Sequence, residues 1–238
     1  MPEDNSKNIY KMALRWWYKT PYKIRLAGWK LIRMFDNGEG YQKISFQGKT
    51  YAKGTDRFKS YKQLFPSPPV NKTILDVGCN FGYYSLMALQ EKAAYCRAID
   101  NDPLATKKLE EIALDLGFND LDIVQADILN YDIDRDFDIV LCLNLIHHFE
   151  SFEQAEKLLD TLYRHTIEKM MLIVLAPVDL EKASLLDTEI NPAGGKRFLG
   201  ISPHYFIAKY GQTRVNVKHA TSYGPNRYTV VIEKSPAT

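Results

Sequence analysis

The sequence predicts an α/β fold: a doubly wound, mostly parallel sheet with an antiparallel C-terminal edge strand, preceded by an N-terminal helical arm. Three observations predict it. From residue 70 onward, short apolar runs alternate with amphipathic helical stretches, the rhythm of strand–helix–strand units. A turn bounded by Gly78 and Gly82 directly follows the first of those runs, as happens where a parallel sheet meets a ligand at its carboxyl edge. The last two apolar runs flank Gly224-Pro225-Asn226, a hairpin signal that an all-parallel sheet would not contain.

The arm comes first. Over residues 6–20, Ile9, Met12, Ala13 and Trp16 recur at helical spacing, with Lys7, Lys11, Arg15 and Lys19 elsewhere on the surface. Thr20-Pro21 ends that helix and starts another, which runs to about Phe35 and stops at Asn37-Gly38. Residues 41–53 read as extended, and residues 56–65 as a short helix with Phe58, Tyr61 and Leu64 inward. Pro66-Ser67-Pro68-Pro69 breaks the pattern, so the division is placed there: an arm at 1–66, which would lid the substrate, and a catalytic domain at 67–238.

In that domain the expected strands are Thr73–Val77, Ala94–Ile99, Leu121–Gln125, Phe137–Leu143 and Met171–Leu175. The expected helices between them are Tyr83–Gln90, Pro103–Leu116 and Phe152–His165. Phe137–Leu143 is apolar except at Asp138, as a strand covered on both faces should largely be. An irregular stretch, 177–200, leads to a helix at Pro203–Tyr210 and to two final strands, Arg214–Ser222 and Arg227–Glu233.

Bulk properties narrow the function. The 238 residues suffice for one α/β domain with an appendage. No apolar run reaches the roughly 20 residues that span a bilayer, and the polar start lacks the apolar core of a secretory signal. Cys79, Cys96 and Cys142 lie singly in apolar segments, so they are expected to be buried thiols in a reducing cytoplasm. Residues 1–66 hold 14 Lys/Arg against 5 Asp/Glu, while the remainder holds 17 against 24. A basic arm on an acidic body leaves three explanations open: an anionic partner such as RNA or a membrane surface, docking on its own body, or solvated helix faces.

The glycine turn departs from Gly-x-Gly-x-x-Gly, since three non-glycine residues separate Gly78 from Gly82, and this disfavours a diphosphate cofactor. Asp76, taken to sit in this loop, would repel a diphosphate but suits a cationic ligand group. Asp100 follows the second strand, where it can accept both hydroxyls of a ribose, and Asp127 follows the third, where it can accept from an adenine amino group.

The run Thr73-Ile74-Leu75-Asp76-Val77-Gly78-Cys79-Asn80-Phe81-Gly82-Tyr83-Tyr84-Ser85 resembles motif I of class I S-adenosylmethionine (SAM)-dependent methyltransferases. Ala98-Ile99-Asp100, Gln125-Ala126-Asp127-Ile128, and Phe137-Asp138-Ile139-Val140 through Leu145-Ile146-His147-His148-Phe149 fall where that superfamily has its later motifs. The resemblance covers about residues 55–238 and implies a Rossmann-like fold. It implies that Gly78 and Asn80 flank the methionine moiety, that Asp100 takes the ribose, that Asp127 with Ile128 takes the adenine, and that Asn144 serves the methionine end through its backbone. Asp76 and Gly82 complete this cofactor set. The segment Gly54 to Lys62 leading into the motif is also similar to wobble-uridine tRNA methyltransferase-like proteins, a group that includes enzymes of glycan and secondary-metabolite clusters.

The resemblance implies methyl transfer from SAM to an oxygen or nitrogen of a small-molecule acceptor, leaving S-adenosylhomocysteine (SAH). The alternatives are a tRNA-modifying methyltransferase and a SAM-binding regulator without catalysis; the glycine spacing disfavours a nicotinamide oxidoreductase. His147 is the candidate base, with a structural role weighed equally, while His148 is expected to pack against its loop. Arg57, Tyr83 and Trp17 are the candidate substrate contacts. No His/Asp/Glu cluster has metal-ligand spacing, so no metal is expected. A small-molecule partner is favoured over nucleic acid, and a homo-oligomer through the arm is left open.

Overall fold

A computed structural model describes residues 39–149, 151–177, 199–220 and 226–234. The expectations for the helical arm, for Trp17, and for nearly all of the irregular 177–200 stretch lie outside the described residues. The antiparallel edge expected from the terminal hairpin is present, and its placement is more specific than the sequence implied. Strands β4 (Thr73–Val77), β5 (Tyr95–Asp100), β6 (Leu121–Gln125), β7 (Phe137–Leu143), β8 (Thr166–Leu175), β9 (Val215–His219) and β10 (Arg227–Glu233) form one sheet in the order β6-β5-β4-β7-β8-β10-β9. Neighbours from β6 to β8 pair in parallel. β10 runs against both β8 and β9, so the reversed strand lies one place in from the edge and β9 is outermost. The order reverses at β4, which has β5 on one side and β7 on the other; ligands bind outside the carboxyl ends at such a switch point.

Alternation along the strands divides the core into two clusters, one for each face of the sheet. Ile74 of β4, Ile139, Leu141 and Leu143 of β7, and Met171 and Ile173 of β8 share one cluster. It is covered by helices α1 (Phe58–Leu64), α2 (Tyr83–Gln90) and α3 (Pro103–Leu116), through Tyr61, Leu86, Leu109 and Ile112. The intervening residues Leu75, Val77, Val140, Cys142, Met170, Leu172 and Val174 share the other cluster. Helices α4 (Phe152–Arg164) and α5 (Pro203–Tyr210) cover that one, through Leu158, Leu159, Leu162 and Phe206. Double cover explains why β7 is apolar without a break from Ile139 to Leu143, while Asp138 near its start accepts from Thr73 N–H at 2.7 Å.

Caps fix the helix starts. Asp102 accepts from Leu104 N–H at 3.0 Å before Pro103, and Gly117 closes α3 in the left-handed conformation with φ 71°. Ser151 caps α4 by accepting from Gln154 N–H at 3.3 Å. These signals are local, which is why α2 and α3 have the boundaries read from the sequence.

β8 begins at Thr166, five residues earlier than expected, because its first residues are polar and carry no strand-like alternation. Pairing decides them instead: Thr166 lies opposite Phe137, and Lys169 opposite both Ile139 and Glu233. The extended 41–53 region is a small three-stranded sheet, β1 (Glu39–Gln42), β2 (Ile44–Phe46) and β3 (Lys49–Thr55), in the order β1-β3-β2. The division placed at residue 66 does not coincide with a break in the core. Ile44, Phe46, Ala52, Tyr61, Leu64 and Phe65 belong to the same cluster as Ile74 and Leu86, and Lys49 pairs with Asp115 of α3 at 2.7 Å. Among the described residues, no helix is long and apolar enough to cross a membrane.

Candidate active site

The site is built on the carboxyl ends of β4, β5 and β7. After Val77 the chain turns sharply, and three residues in the turn take φ values that only glycine and asparagine adopt readily: Gly78 at 73°, Asn80 at 53° and Gly82 at 73°. Gly78 and Cys79 both donate to Ile99 O, at 2.8 and 3.1 Å, which stitches the turn to the end of β5. Gly82 N–H donates back to Cys79 O at 2.9 Å, and Gly82 O begins the helical bonding of α2. A Cβ on Gly82 would fall inside the methyls of Leu109, with Leu109 Cγ at 3.0 Å. A Cβ on Gly78 would press on Leu145 at 3.3 Å. Both glycines are therefore demanded by backbone conformation and by close packing.

Asp100 closes the turn from the other side. Its Oδ2 accepts from Asn80 N–H at 2.8 Å and its Oδ1 from Asp102 N–H at 2.9 Å. A carboxylate has about four acceptor positions, and this one is half-buried. Asn80 Oδ1, in the same turn, is buried without a hydrogen-bond partner. It is one of five buried side-chain polar atoms without a hydrogen-bond partner among the described residues, and of these five only Asn80 lies in the glycine turn.

Asp76 differs from the sequence reading. It is not in the turn but in β4, paired with Ala98 and Leu141, and its carboxylate is buried. Oδ2 accepts from Ser85 Oγ at 2.7 Å, tying β4 to α2. Burial pushes its pKa up from 3.8 to about 6, and the charge of Asp100 adds to the rise, while the Ser85 bonds oppose it. Asp76 thus sits beneath the turn rather than on its ligand side.

Asp127 is exposed and orders the turn after β6. It accepts from Leu129 N–H at 3.1 Å and from Asn130 Nδ2 at 3.0 Å, while Ile128 beside it is half-buried. Ala126 N–H donates to Asp100 O at 3.0 Å, which brings this turn against the β5 end. Asp100 at the end of β5, one residue further into the strand than expected, and Asp127 after β6 therefore lie along one stretch of the rim.

At the end of β7, Asn144 takes φ 58° and donates its N–H to Ile173 O at 3.0 Å. Its Oδ1 accepts from Arg227 Nη1 at 2.6 Å. A single 3₁₀ turn follows, Ile146–His148. His147 is buried and its Nδ1 lies 3.4 Å from Arg227 Nη1; His148 is exposed, and the two rings meet at a tilt of 39° with centroids 4.1 Å apart. The packed role foreseen for His148 thus falls to His147, because the tight turn directs the first ring inward and the second outward. Sequence reading took Arg227 only as the start of a strand. Its role here comes from pairing across 80 residues, which no local signal carries.

Two candidate substrate contacts are buried. Arg57 precedes α1 at 5% exposure, and Tyr83 opens α2 at 5%, packed edge-on against Tyr84 with centroids 5.3 Å apart. Neither presents an exposed group, because both start helices laid on the sheet. Trp17 lies outside the described residues.

Residues 74–168 match the family model described as a methyltransferase domain. The chain is 26% identical over 91 residues to a probable (S)-tetrahydroprotoberberine N-methyltransferase 2 from Papaver bracteatum, covering 38% of this chain and 25% of that protein. It thus spans only about a quarter of the length of that plant relative. It is 27% identical over 175 residues to a tRNA1(Val) (adenine(37)-N6)-methyltransferase from Shewanella loihica, covering 68% of each. Among solved structures, the N-terminal domain of EvdMO1 in the presence of SAH and D-fucose superposes with a TM-score of 0.64 at 18% identity, covering 89% of this chain and 97% of that one. This last likeness shows the fold.

Proposed function

We propose that this chain, a member of the class I SAM-dependent methyltransferase superfamily through its domain at residues 74–168, moves the methyl group of SAM to an oxygen or nitrogen of a small-molecule acceptor and releases SAH. One observation carries the reading: the left-handed turn from Gly78 to Gly82 is clamped by Asp100, yet leaves Asn80 Oδ1 buried and unsatisfied. A donor-rich ligand without a diphosphate fits that set. Asp100 would accept ribose hydroxyls, Asp127 with Ile128 would meet the adenine, and Gly78, Asn80 and the Asn144 backbone would hold the methionine end. Gly82 lets α2 close against Leu109 beneath them. Asp76 supports the same ligand from below, since a cation near the turn favours its ionised form.

SAM supplies an electrophilic methyl group on a sulfonium. The work of the chain is alignment and exclusion of water, because an in-line displacement needs nucleophile, methyl and sulfur on one axis. The rim at β7 is where the acceptor would lie, and the His147–His148 pair would take its proton where the acceptor needs a base. Residues 1–40, basic and aromatic, are read as the lid over that end. Three free, buried cysteines suit a cytoplasmic setting.

Support for a small-molecule acceptor comes from the likeness to the probable (S)-tetrahydroprotoberberine N-methyltransferase and to the domain crystallised in the presence of SAH and D-fucose. The longer match to a tRNA adenine methyltransferase favours a second reading, RNA methylation. Calorimetry should find micromolar-range SAM and SAH binding with no comparable NAD binding; tight NAD binding without SAM would overturn the cofactor. Incubating the protein and methyl-labelled SAM with metabolite and tRNA fractions separates the acceptors. Label in the metabolite fraction is expected, and label confined to tRNA would replace the first reading with the second.

A further inference from the structure

The acceptor end of the rim holds a residue that the mechanism above does not use. Arg227 opens β10. Because β10 runs against β8, its first residue lies at the carboxyl rim, opposite Leu175, the last residue of β8. Ala176 N–H donates to Asn226 O at 2.8 Å, so this corner is anchored at the backbone. From there the guanidinium reaches past β8 to the end of β7, where it donates to Asn144 Oδ1 and meets Nδ1 of His147. Both partners are fixed independently: Asn144 by its bond to Ile173 O, and His147 by its own carbonyl, which accepts from Leu199 N–H at 3.2 Å.

A guanidinium has only donors and keeps its charge at any ordinary pH. A group facing it at 3.4 Å must present a lone pair, since a proton on Nδ1 would point into other N–H groups. In a neutral imidazole with Nδ1 bare, the proton sits on Nε2. Adding a second proton would place a buried cation against a cation, which both charge repulsion and desolvation oppose. Arg227 from β10 and His148 from its own turn both face His147.

We propose that Arg227 is a positioning residue that holds His147 neutral, in the Nε2–H tautomer, and fixes the Asn144 turn. His148, the exposed ring of the pair, is then the one that exchanges protons with the acceptor. The consequence for catalysis rests on placing the methyl acceptor at this rim. The state of His147 does not, and so the two can be tested apart.

The test is long-range ¹H–¹⁵N correlation spectroscopy on the full chain labelled in its five histidines, with His147→Gln and His148→Gln for assignment. His147 should show a single Nε2–H tautomer and no titration between about pH 5 and 8, the range in which an ordinary histidine changes charge. His148 should titrate. In Arg227→Met, which keeps the stem and removes the donors, His147 should titrate or mix tautomers. Ordinary titration of His147 in the native chain, an Nδ1–H tautomer there, or an unchanged His147 in Arg227→Met overturns the proposal. Should Arg227→Met not fold, the native spectrum still decides. No acceptor and no SAM are needed, so a failure here is distinct from a failure of SAM to bind.

Discussion

The two halves of the rim are made by different means. At β4 and β5 the site is backbone: a turn of left-handed residues, two amide donors on Ile99 O, and carboxylates that come one per strand. Its parts lie close in sequence, and its electrostatic character is acidic, from Asp76 through Asp100 to Asp127. At β7 and β10 the site is side chain. Asn144, His147, His148 and Arg227 meet there, and strand pairing brings Arg227 to the other three across about 80 residues of chain. The first half suits a ligand common to many chemistries, since backbone geometry tolerates little change. The second is assembled from replaceable side chains, as expected of the end that selects an acceptor.

If this contrast holds, the largest effects of substitution come at the glycine turn. Gly82→Ala forces a Cβ onto Leu109, a fully buried residue, and keeps a φ of 73° that costs alanine about 1–2 kcal/mol. With the strain of overpacking the loss should total about 2–4 kcal/mol, read from urea unfolding, together with loss of SAM binding. An alanine variant as stable as its parent would show that the turn is not the rigid half.

Next in size is a gain. Folded Asp76 keeps its proton to about pH 6, whereas the unfolded chain releases it near 3.8. Between those values the folded state holds the extra proton, so this group's contribution falls as pH rises and is lost above pH 6. The difference is on the order of 2–3 kcal/mol. Asp76→Asn keeps an acceptor for Ser85 Oγ and removes the buried charge, so it should stabilise the ligand-free protein at pH 8 and do so much less at pH 4. Equal effects at the two pH values would mean that the carboxylate is not strained by burial.

Asp100→Ala should weaken SAM by about 1.5–3 kcal/mol in calorimetry, because charge-assisted bonds to the ribose are lost and the Asn80 amide loses its acceptor. Unchanged affinity would remove Asp100 from the site. The smallest effect is a control across the sheet. Ser151→Ala deletes the cap of α4 and should cost about 0.5–1 kcal/mol of stability while leaving SAM affinity alone. A large fall in affinity would mean that the α4 face is coupled to the turn, and the contrast between the halves would blur.

The same contrast governs what could be read in advance. Pro103 with Asp102 and Gly117 delimits α3 by chemistry contained within a few residues, and the glycine turn announces itself because few residues tolerate its backbone. The polar start of β8 was illegible, since only its neighbours make it a strand. Asp76, expected in the loop, lies in β4 as a buried partner of Ser85, because a strand residue's direction depends on register. The two histidines could not be told apart for a similar reason: a 3₁₀ turn rather than a longer helix decides which ring faces in.

What the sequence determined by itself was everything with a short range: the strand–helix rhythm, the caps, the left-handed turn, and a carboxylate at or just past the end of each of two successive strands. These follow from backbone sterics and side-chain hydrogen bonds a few residues long. Tertiary structure alone decided that the last strand inserts between β8 and β9 in reverse, and that Arg227 therefore stands at the carboxyl rim against Asn144 and His147. That placement is a matter of which strand edges pair, and the free energy of such pairing lies in contacts between residues distant in the chain.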